Sequence, residues 1–217
     1  MQKLLYEVSI IRPFIIILLI FMHSFTAYDG NWPAFECYEP NSIYKWVPKF
    51  IMGFMLEAFV FISGYVYSYQ TNTLKRSIGF ISFAKKKFSR LYIQCVFFGV
   101  IYYFLFLNTG TFSIYDLIYK VTDGCGHLWF LPMLFWCFIF IWIVDRYKPN
   151  MYMMLAILAF ISVIPMPMRL PLGMTKVSHY MLYIYLGYLL YTYKDVVIEK
   201  LSNKGSILFL IATYIFQ

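Results

Sequence analysis

Long apolar runs almost free of charged residues are the feature that most limits what this chain can fold into. Seven such runs follow one another along the 217 residues, at about 10–28, 46–69, 91–107, 127–144, 151–166, 180–193 and 206–217. Runs of this kind predict helices, because a helix satisfies its own backbone hydrogen bonds inside a bilayer. The sequence therefore predicts an all-α fold, a polytopic transmembrane helical bundle with about seven spans.

The composition excludes soluble and disordered classes. Apolar residues make up 62% of the chain and charged residues 13%, whereas soluble domains have about 45–50% and about 25%. A soluble protein of this size could not cover its surface with so few charges, and a disordered chain would hold far less apolar surface. We interpret residues 1–217 as a single transmembrane domain, since neither a second soluble domain nor an internal repeat is visible.

Lysine and arginine are distributed unevenly between the two sides of the predicted bundle. With the N-terminus inside, the inner segments hold twelve of these residues and the outer segments five. Because cationic residues collect in cytoplasmic loops, this bias predicts a cytoplasmic N-terminus. The same bias explains the net charge of +8, so membrane lipids are expected partners and nucleic acid is not.

The last apolar run ends at Gln217 after about a dozen residues, whereas a full span needs about 20. We therefore expect the domain to be incomplete at its C-terminus, as a truncated product or a fragment of a longer bundle. Cys37 and Cys125 fall in loops on the predicted outer side, where a disulfide could form. No Cys/His spacing typical of a metal site is present, so no metal is expected.

The first span carries two ionisable residues, Arg12 and His23, which are 11 residues apart. This spacing is almost three helical turns, so both project from one face, separated by about 16 Å along the axis. A histidine can accept a proton near neutral pH and could act as general base on an alcohol. The alternative is an interfacial arginine and a histidine bonded to a neighbouring helix; spacing alone leaves both open.

The second span carries Glu57, and a carboxylate within a span needs a partner. His23 and Arg12 are the candidates, and the alternative is a structural hydrogen bond between helices. The small pair Ser63-Gly64 follows in the same span and would let another helix approach closely.

Two further segments contain candidate binding residues. Lys85, Lys86, Lys87 and Arg90 precede the third run. They are first a topology signal, and they could also bind anionic lipid headgroups or the phosphates of a cytosolic cofactor. The fourth run opens with His127-Leu128-Trp129, and tryptophan at a membrane edge is ordinary. His127 and the similarly placed His179 could be interfacial residues and nothing more.

Four motifs, taken in this order, resemble those of the acyltransferase-3 family of integral-membrane acyltransferases. Arg12-x10-His23 resembles the family's R-x10-H signature. The segment from Glu57 to Tyr65 is similar to its acidic-x-F-F-x-x-S-G pattern, with Glu where Asp is common and Phe59-Val60 where two Phe are frequent. Lys87-x-x-Arg90 is similar to a basic R-x-x-R pair, and His127–Leu131 to an H-x-W-F-L segment. Together they cover about residues 8–135.

The resemblance implies a bundle of about ten spans in the bacterial inner (plasma) membrane. It implies transfer of an acyl group, with acetyl expected, from cytosolic acyl-CoA to a hydroxyl of an envelope glycan or lipid-linked sugar. The roles expected are catalysis by His23 and Glu57, acyl-CoA binding by Arg12, Lys86, Lys87 and Arg90, and substrate binding by His127 and Trp129. Acyl-CoA, expected to be acetyl-CoA, would be a co-substrate.

Two other functions stay open. A transporter or exporter of an envelope glycan would use the same intramembrane histidine, glutamate and arginine to line a path or relay protons. Such a protein usually has a repeated or inverted second half, and no such repeat is visible. The other alternative is an inactive, truncated remnant of a larger protein.

Overall fold

The computed structural model describes residues 5–25, 42–76, 79–107, 112–164 and 170–201, and these residues are helical apart from short connections. The helices are α1 (Tyr6–Ser24), α2 (Ser42–Ser68), α3 (Phe80–Tyr102), α4 (Ile114–Asp123), α5 (Phe130–Tyr147), α6 (Met151–Val163), α7 (Val177–Thr192) and α8 (Lys194–Leu201). Single π-helical turns extend α2 over Tyr69–Thr73 and α3 over Tyr103–Leu107, and a 3₁₀ turn at Gly126–Trp129 leads into α5.

Within the described residues, four helical segments are long and apolar enough to cross a membrane: Tyr6–Ser24, Trp46–Thr73, Phe80–Leu107 and Gly126–Tyr147. Helices α6 and α7 have 13 and 16 residues, or about 20 and 24 Å at the rise of an α-helix. Both are shorter than a hydrocarbon core of about 30 Å. The predicted seventh run, 206–217, lies outside the described residues, so the count of about seven spans stays a prediction.

Helix α3 begins earlier than the apolar pattern predicts. The pattern starts the third span at residue 91 and assigns residues 70–90 to a loop, but the helix starts at Phe80. Lys85, Lys86, Lys87 and Arg90 are therefore helical residues, in the second and third turns of α3. Long cationic side chains allow this, because their stems can lie along apolar surface while the charges reach the interface.

The closest helix contact in the core is between α2 and α7. A Cβ atom added at Gly64 would overlap the carbonyl oxygen of Ile184, and one added at Gly187 would overlap the carbonyl oxygen of Phe61. Each glycine thus lets the backbone of the other helix approach to a distance that no side chain would permit. The prediction that Ser63-Gly64 admits a close helix is confirmed, and the helix is α7.

The bundle has two ends that differ in their side chains. The basic end is where α2 finishes near Thr73, α3 starts at Phe80 and α5 finishes at Tyr147. The histidine end is where α1 finishes at Ser24 and where α5 and α7 begin. Helices α3 and α5 run in opposite directions between these two ends, and α7 runs from the histidine end toward the basic end.

Candidate functional site

Two of the three histidines face each other at the histidine end. His23 lies in the last turn of α1, and His127 lies in the 3₁₀ turn that precedes α5. Their ring centroids are 5.9 Å apart, and the ring planes are inclined by 63°. The ring of Tyr102 lies 5.8 Å from that of His127 on another side. The structure thus brings together one predicted catalytic residue and one predicted substrate-binding residue.

The turn that carries His127 is held by glycine. Gly126 has a φ of +54°, in the left-handed region, and a Cβ there would press on the Tyr102 ring. Gly124 has a φ of +91°, and a Cβ there would overlap the backbone of Trp129. Because only glycine meets both demands at low cost, the Gly-Cys-Gly segment is what sets His127 against α1 and α3.

Glu57 pairs with the third histidine, His179 of α7. The Nε2 atom of His179 lies 3.4 Å from Glu57 Oε1, and its Nδ1 atom lies 3.4 Å from the carbonyl oxygen of Ser162. Both contacts are long for hydrogen bonds. Glu57 Oε2 is buried and has no hydrogen-bond partner within the part of the chain that the structure describes.

The two contacts of His179 constrain its protons. A carbonyl oxygen can only accept, so a hydrogen bond to Ser162 requires a hydrogen on Nδ1. The contact with Glu57 then requires a second hydrogen, either on Nε2 or on the carboxyl group. The geometry therefore places a ring nitrogen of His179 beside a carboxyl oxygen of Glu57, as in a carboxylate–histidine pair.

This partner differs from the two that the sequence offers. The pattern names His23 and Arg12 as candidates for Glu57, whereas the hydrogen-bond partner among the described residues is His179. The physical reason is the packing of α2 on α7, which brings the start of α7 beside the middle of α2. Spacing along one helix cannot reveal which neighbouring helix supplies a partner. The sequence alone therefore does not distinguish His179 from an interfacial residue.

Trp129 is directed toward α7 and not toward His23. Its ring lies 6.1 Å from the ring of Tyr180, and the Nζ atom of Lys176 lies 3.5 Å from the centre of an indole ring face. Burial lowers the pKa of Lys176, and the charge of Asp123 opposes this effect. His127 and Trp129 are two residues apart but contact different helices.

The predicted donor-binding cations lie nearer the basic end. The Nζ atom of Lys87 is 3.2 Å from the centre of the Phe138 ring, a cation–π contact. The charges of Arg90 and Arg12 lie close enough to Lys87 to repel it. Three of the four predicted acyl-CoA-binding residues thus share one region, and Lys86 is exposed on the same helix, α3.

Arg12 also lines a cavity of about 450 Å³. The cavity lies between α1 and the end of α2, and Ser9, Gln70 and Arg76 are its other polar lining residues. With about 16 Å between Arg12 and His23 along α1, the two predicted residues mark opposite parts of the bundle. A ligand that contacted both would have to be elongated.

The basic end holds a second, larger cavity of about 640 Å³. Its lining includes four cationic side chains, those of Lys75, Arg76, Arg146 and Lys148. In the sequence these residues contribute only to the predicted membrane topology. One sequence signal points to them: two short basic segments, Lys75-Arg76 and Arg146-x-Lys148, lie in consecutive predicted inner loops.

Neither a metal cluster nor the possible disulfide can be placed in the structure. No group of three or more His, Cys, Asp or Glu side chains suited to a metal ion is present in residues 5–25, 42–76, 79–107, 112–164 and 170–201. Cys37 lies outside the described residues, so the predicted bridge to Cys125 stays a prediction. Burial raises the pKa of the Cys125 thiol.

Comparison with known proteins identifies a family. The acyltransferase-3 family model, described as an acyltransferase domain, matches residues 5–217. No curated protein and no solved structure matches the chain.

Proposed function

This chain belongs to the acyltransferase-3 family, and we propose that it transfers an acyl group from acyl-CoA to a sugar hydroxyl. The match covers almost the whole chain, and the apolar helices make it an integral membrane protein. The donor that we propose is acetyl-CoA, and the acceptor is a hydroxyl of an envelope glycan or lipid-linked sugar. The observation that carries the proposal is the contact between His23 and His127, at the opposite end of the bundle from the basic cavities.

The donor approaches from the basic end in this proposal. The phosphates of CoA are anionic, and Arg12, Lys86, Lys87 and Arg90 offer charge-assisted hydrogen bonds to them. Arg12 and Arg90 both place positive charge near Lys87, and an anionic ligand would offset this concentration of charge. The lysine and arginine bias supports a cytoplasmic basic end and N-terminus, and we propose the bacterial inner membrane as the location.

His23 is the proposed general base. The acceptor oxygen attacks the thioester carbonyl carbon while His23 takes the hydroxyl proton. The C–S bond then breaks, the CoA thiolate leaves, and it takes up the proton that His23 accepted, which returns His23 to its neutral form. General-base assistance is worth roughly 10²–10⁴ in rate. His127 lies beside His23 and is proposed to contact the acceptor sugar, with Trp129 on the α7 side offering a flat face for a sugar ring.

Glu57 is the second proposed catalytic residue. The carboxylate would stabilise positive charge on an imidazole, as in other carboxylate–histidine pairs. Its contact with His179 supports this role, although the imidazole involved is then not that of His23. Since Glu57 and His179 can hold one shared proton, they could supply a proton to the leaving thiolate or remove one from the imidazolium of His23.

The proposal is tested by acyl transfer in a membrane. The full chain is reconstituted in liposomes with radiolabelled acetyl-CoA and a lipid-linked oligosaccharide acceptor. We expect label to move to the acceptor and free CoA thiol to appear in equal amount. Acceptor transport across the bilayer without release of CoA thiol would contradict the proposal and favour the transporter.

A further inference from the structure

The 640 Å³ cavity at the basic end has a lining unlike that of the rest of the bundle. It lies where the end of α2, the start of α3 and the end of α5 meet. Its charged lining residues are Lys75, Arg76, Asp145, Arg146 and Lys148. The volume falls within the range of small-molecule sites, roughly 300–1,000 Å³.

The cavity is positively charged. Four cationic side chains face a single carboxylate, that of Asp145. That carboxylate accepts hydrogen bonds from two tyrosines, at 3.2 Å from the Tyr67 hydroxyl to Oδ2 and at 2.7 Å from the Tyr188 hydroxyl to Oδ1. Because the four cations outnumber this carboxylate, the lining carries a net positive charge that favours an anionic ligand.

The backbone adds to the positive electrostatic potential of the cavity. Helix α3 is 23 residues long and begins at the cavity, with Gly79 as its N-cap. Its first N–H groups point toward the N-terminal end, where they favour an anion. Among the residues that the structure describes, none comes within 4 Å of a Cβ atom added at Gly79, so none of the described side chains packs against this helix end.

Aromatic rings form the remaining wall. The rings of Phe80 and Trp142 lie 5.0 Å apart, and Tyr67 and Phe83 also line the cavity. Cations next to aromatic faces suit a ligand with phosphate groups and a flat ring. A phospholipid headgroup offers the phosphate without the ring, so the aromatic wall favours a nucleotide.

The two cavities are adjacent. Gln70 and Arg76 line both the 640 Å³ cavity and the 450 Å³ cavity that contains Arg12. A ligand held in the larger cavity could therefore extend past Arg76 toward Arg12, and from there along α1.

We propose that the larger cavity binds the phosphates and base of a nucleotide. Resting on the proposed function, this nucleotide is the 3′-phosphoadenosine end of acyl-CoA, with the diphosphate reaching Arg12. The cations that anchor it are Lys75, Arg76, Arg146 and Lys148, which are distinct from the four that sequence motifs select.

The test uses a pair of nearly isosteric side chains at Gly79 that differ in charge. Asp and Asn are both favoured N-cap residues, and the open space at Gly79 accepts either side chain. Gly79→Asp places a negative charge in the cavity, whereas Gly79→Asn places a neutral side chain of the same shape there. The probe is adenosine 3′,5′-bisphosphate, which lacks the thioester, and its binding is measured by calorimetry on the full chain in phosphatidylcholine nanodiscs.

We expect the unaltered chain and Gly79→Asn to bind the bisphosphate, and Gly79→Asp to bind it roughly tenfold or more weakly, as expected for a nearby like charge. Arg146→Gln should weaken binding in the same direction, while Lys194→Gln, the same charge change outside the cavity, should not. Equal binding by the Asp and Asn variants, with both folded by size-exclusion chromatography, would overturn the proposal.

A second arm separates nucleotide from lipid. Nanodiscs with phosphatidylglycerol replace those of phosphatidylcholine. No bisphosphate binding in neutral discs, together with lipid retention that Gly79→Asp abolishes, would assign the cavity to a headgroup and overturn the nucleotide proposal. Binding of the bisphosphate without acyl transfer would support this inference and contradict the proposed function. Acyl transfer by Gly79→Asp with an unchanged KM for acetyl-CoA would support the proposed function and contradict this inference.

Discussion

His23 of α1 and His127 of the turn before α5 face each other edge to face, with ring centroids 5.9 Å apart. These residues come from segments 104 positions apart in the chain, so their contact is a property of the fold and not of a local motif. Each imidazole can accept or donate a proton near neutral pH, and the fold places two of them side by side at this end of the bundle.

The first prediction concerns the base. His23→Ala should lower acyl transfer by roughly 10²–10⁴ with little change in the KM for acetyl-CoA, because the donor is proposed to bind elsewhere. Single-turnover rates with labelled acetyl-CoA measure this effect. An unchanged rate in His23→Ala, combined with a large loss in His179→Ala, would move the base to the Glu57–His179 pair.

The second prediction concerns the coupling of Glu57 to His179. If their 3.4 Å contact carries a shared proton, the effects of Glu57→Gln and His179→Gln should not add, with an interaction free energy of roughly 0.5–3 kcal/mol. Thermal unfolding and acyl transfer are measured for both single variants and the double variant. The same cycle between Glu57→Gln and Lys194→Gln is the control, and it should be additive; additivity in both cycles would remove the pair from the mechanism.

The third prediction concerns Arg12. A guanidinium binds phosphate through two parallel hydrogen bonds, and an ammonium group cannot reproduce this geometry. Arg12→Lys should therefore raise the KM for acetyl-CoA by about tenfold, an effect equal to one charge-assisted contact, while Arg12→Gln should raise it further. The steady-state KM is the measurement, with Lys194→Gln as the charge-matched control. If the KM of the Arg12 variants equals that of Lys194→Gln, Arg12 does not bind the donor phosphates.

The fourth prediction concerns stability at the α2–α7 contact. Gly64→Ala should lower the free energy of unfolding by about 1–3 kcal/mol or more, because the new Cβ overlaps a backbone carbonyl that cannot move alone. Gly53→Ala, on the same helix, has no atom of the described part of the chain within 4 Å of its new Cβ and should be neutral or slightly stabilising. Unfolding in detergent by SDS titration compares the two. Equal stability would show that α7 does not approach α2 closely at Gly64.

The fifth prediction concerns the Cys125 thiol. Burial raises its pKa, so the reactive thiolate should be scarcer at pH 7 than in an exposed cysteine and should increase as the pH rises. In a Cys37→Ser variant, which removes the predicted bridge partner, maleimide labelling of Cys125 should be slow at pH 7 and faster at pH 9. Peptide mass spectrometry gives the rates, with SDS-unfolded protein as the reference. Labelling at the reference rate in the native protein would mean that Cys125 is exposed.

Helical class and the helix positions near Arg12, His23 and Glu57 follow from the apolar pattern, and so does the role of Gly64 as a close-contact position. The neighbours of each helix do not follow from it. Helical periodicity tells which residues share one face, but the choice of neighbour depends on side-chain shape summed over whole helices. For that reason the Glu57–His179 pair was not predicted from the sequence.

The start of α3 was missed for a different reason. Hydropathy treats Lys87 and Arg90 as loop residues because it scores the charge and not the apolar stem. In the structure the Lys87 ammonium lies on the Phe138 ring, so a cation is accommodated within a helix by an aromatic face. The cationic cavity was missed likewise, because Arg146 and Lys148 carry the same topology signal whether or not they surround a binding site.

The carbonyl oxygen of Ile184 packs against Gly64, and that of Phe61 packs against Gly187. These two contacts restrict how α2 and α7 can move. If α7 slid along α2 by one residue, each carbonyl would leave its glycine and collide with a side chain, so sliding between these two helices is blocked in both directions. They must travel as a single rigid body. Among the described helices, α1, α5 and α6 pack against this body, so an opening that admits a substrate is expected between the body and one of them. A spin label on α2 and another on α7 would keep a constant separation throughout turnover.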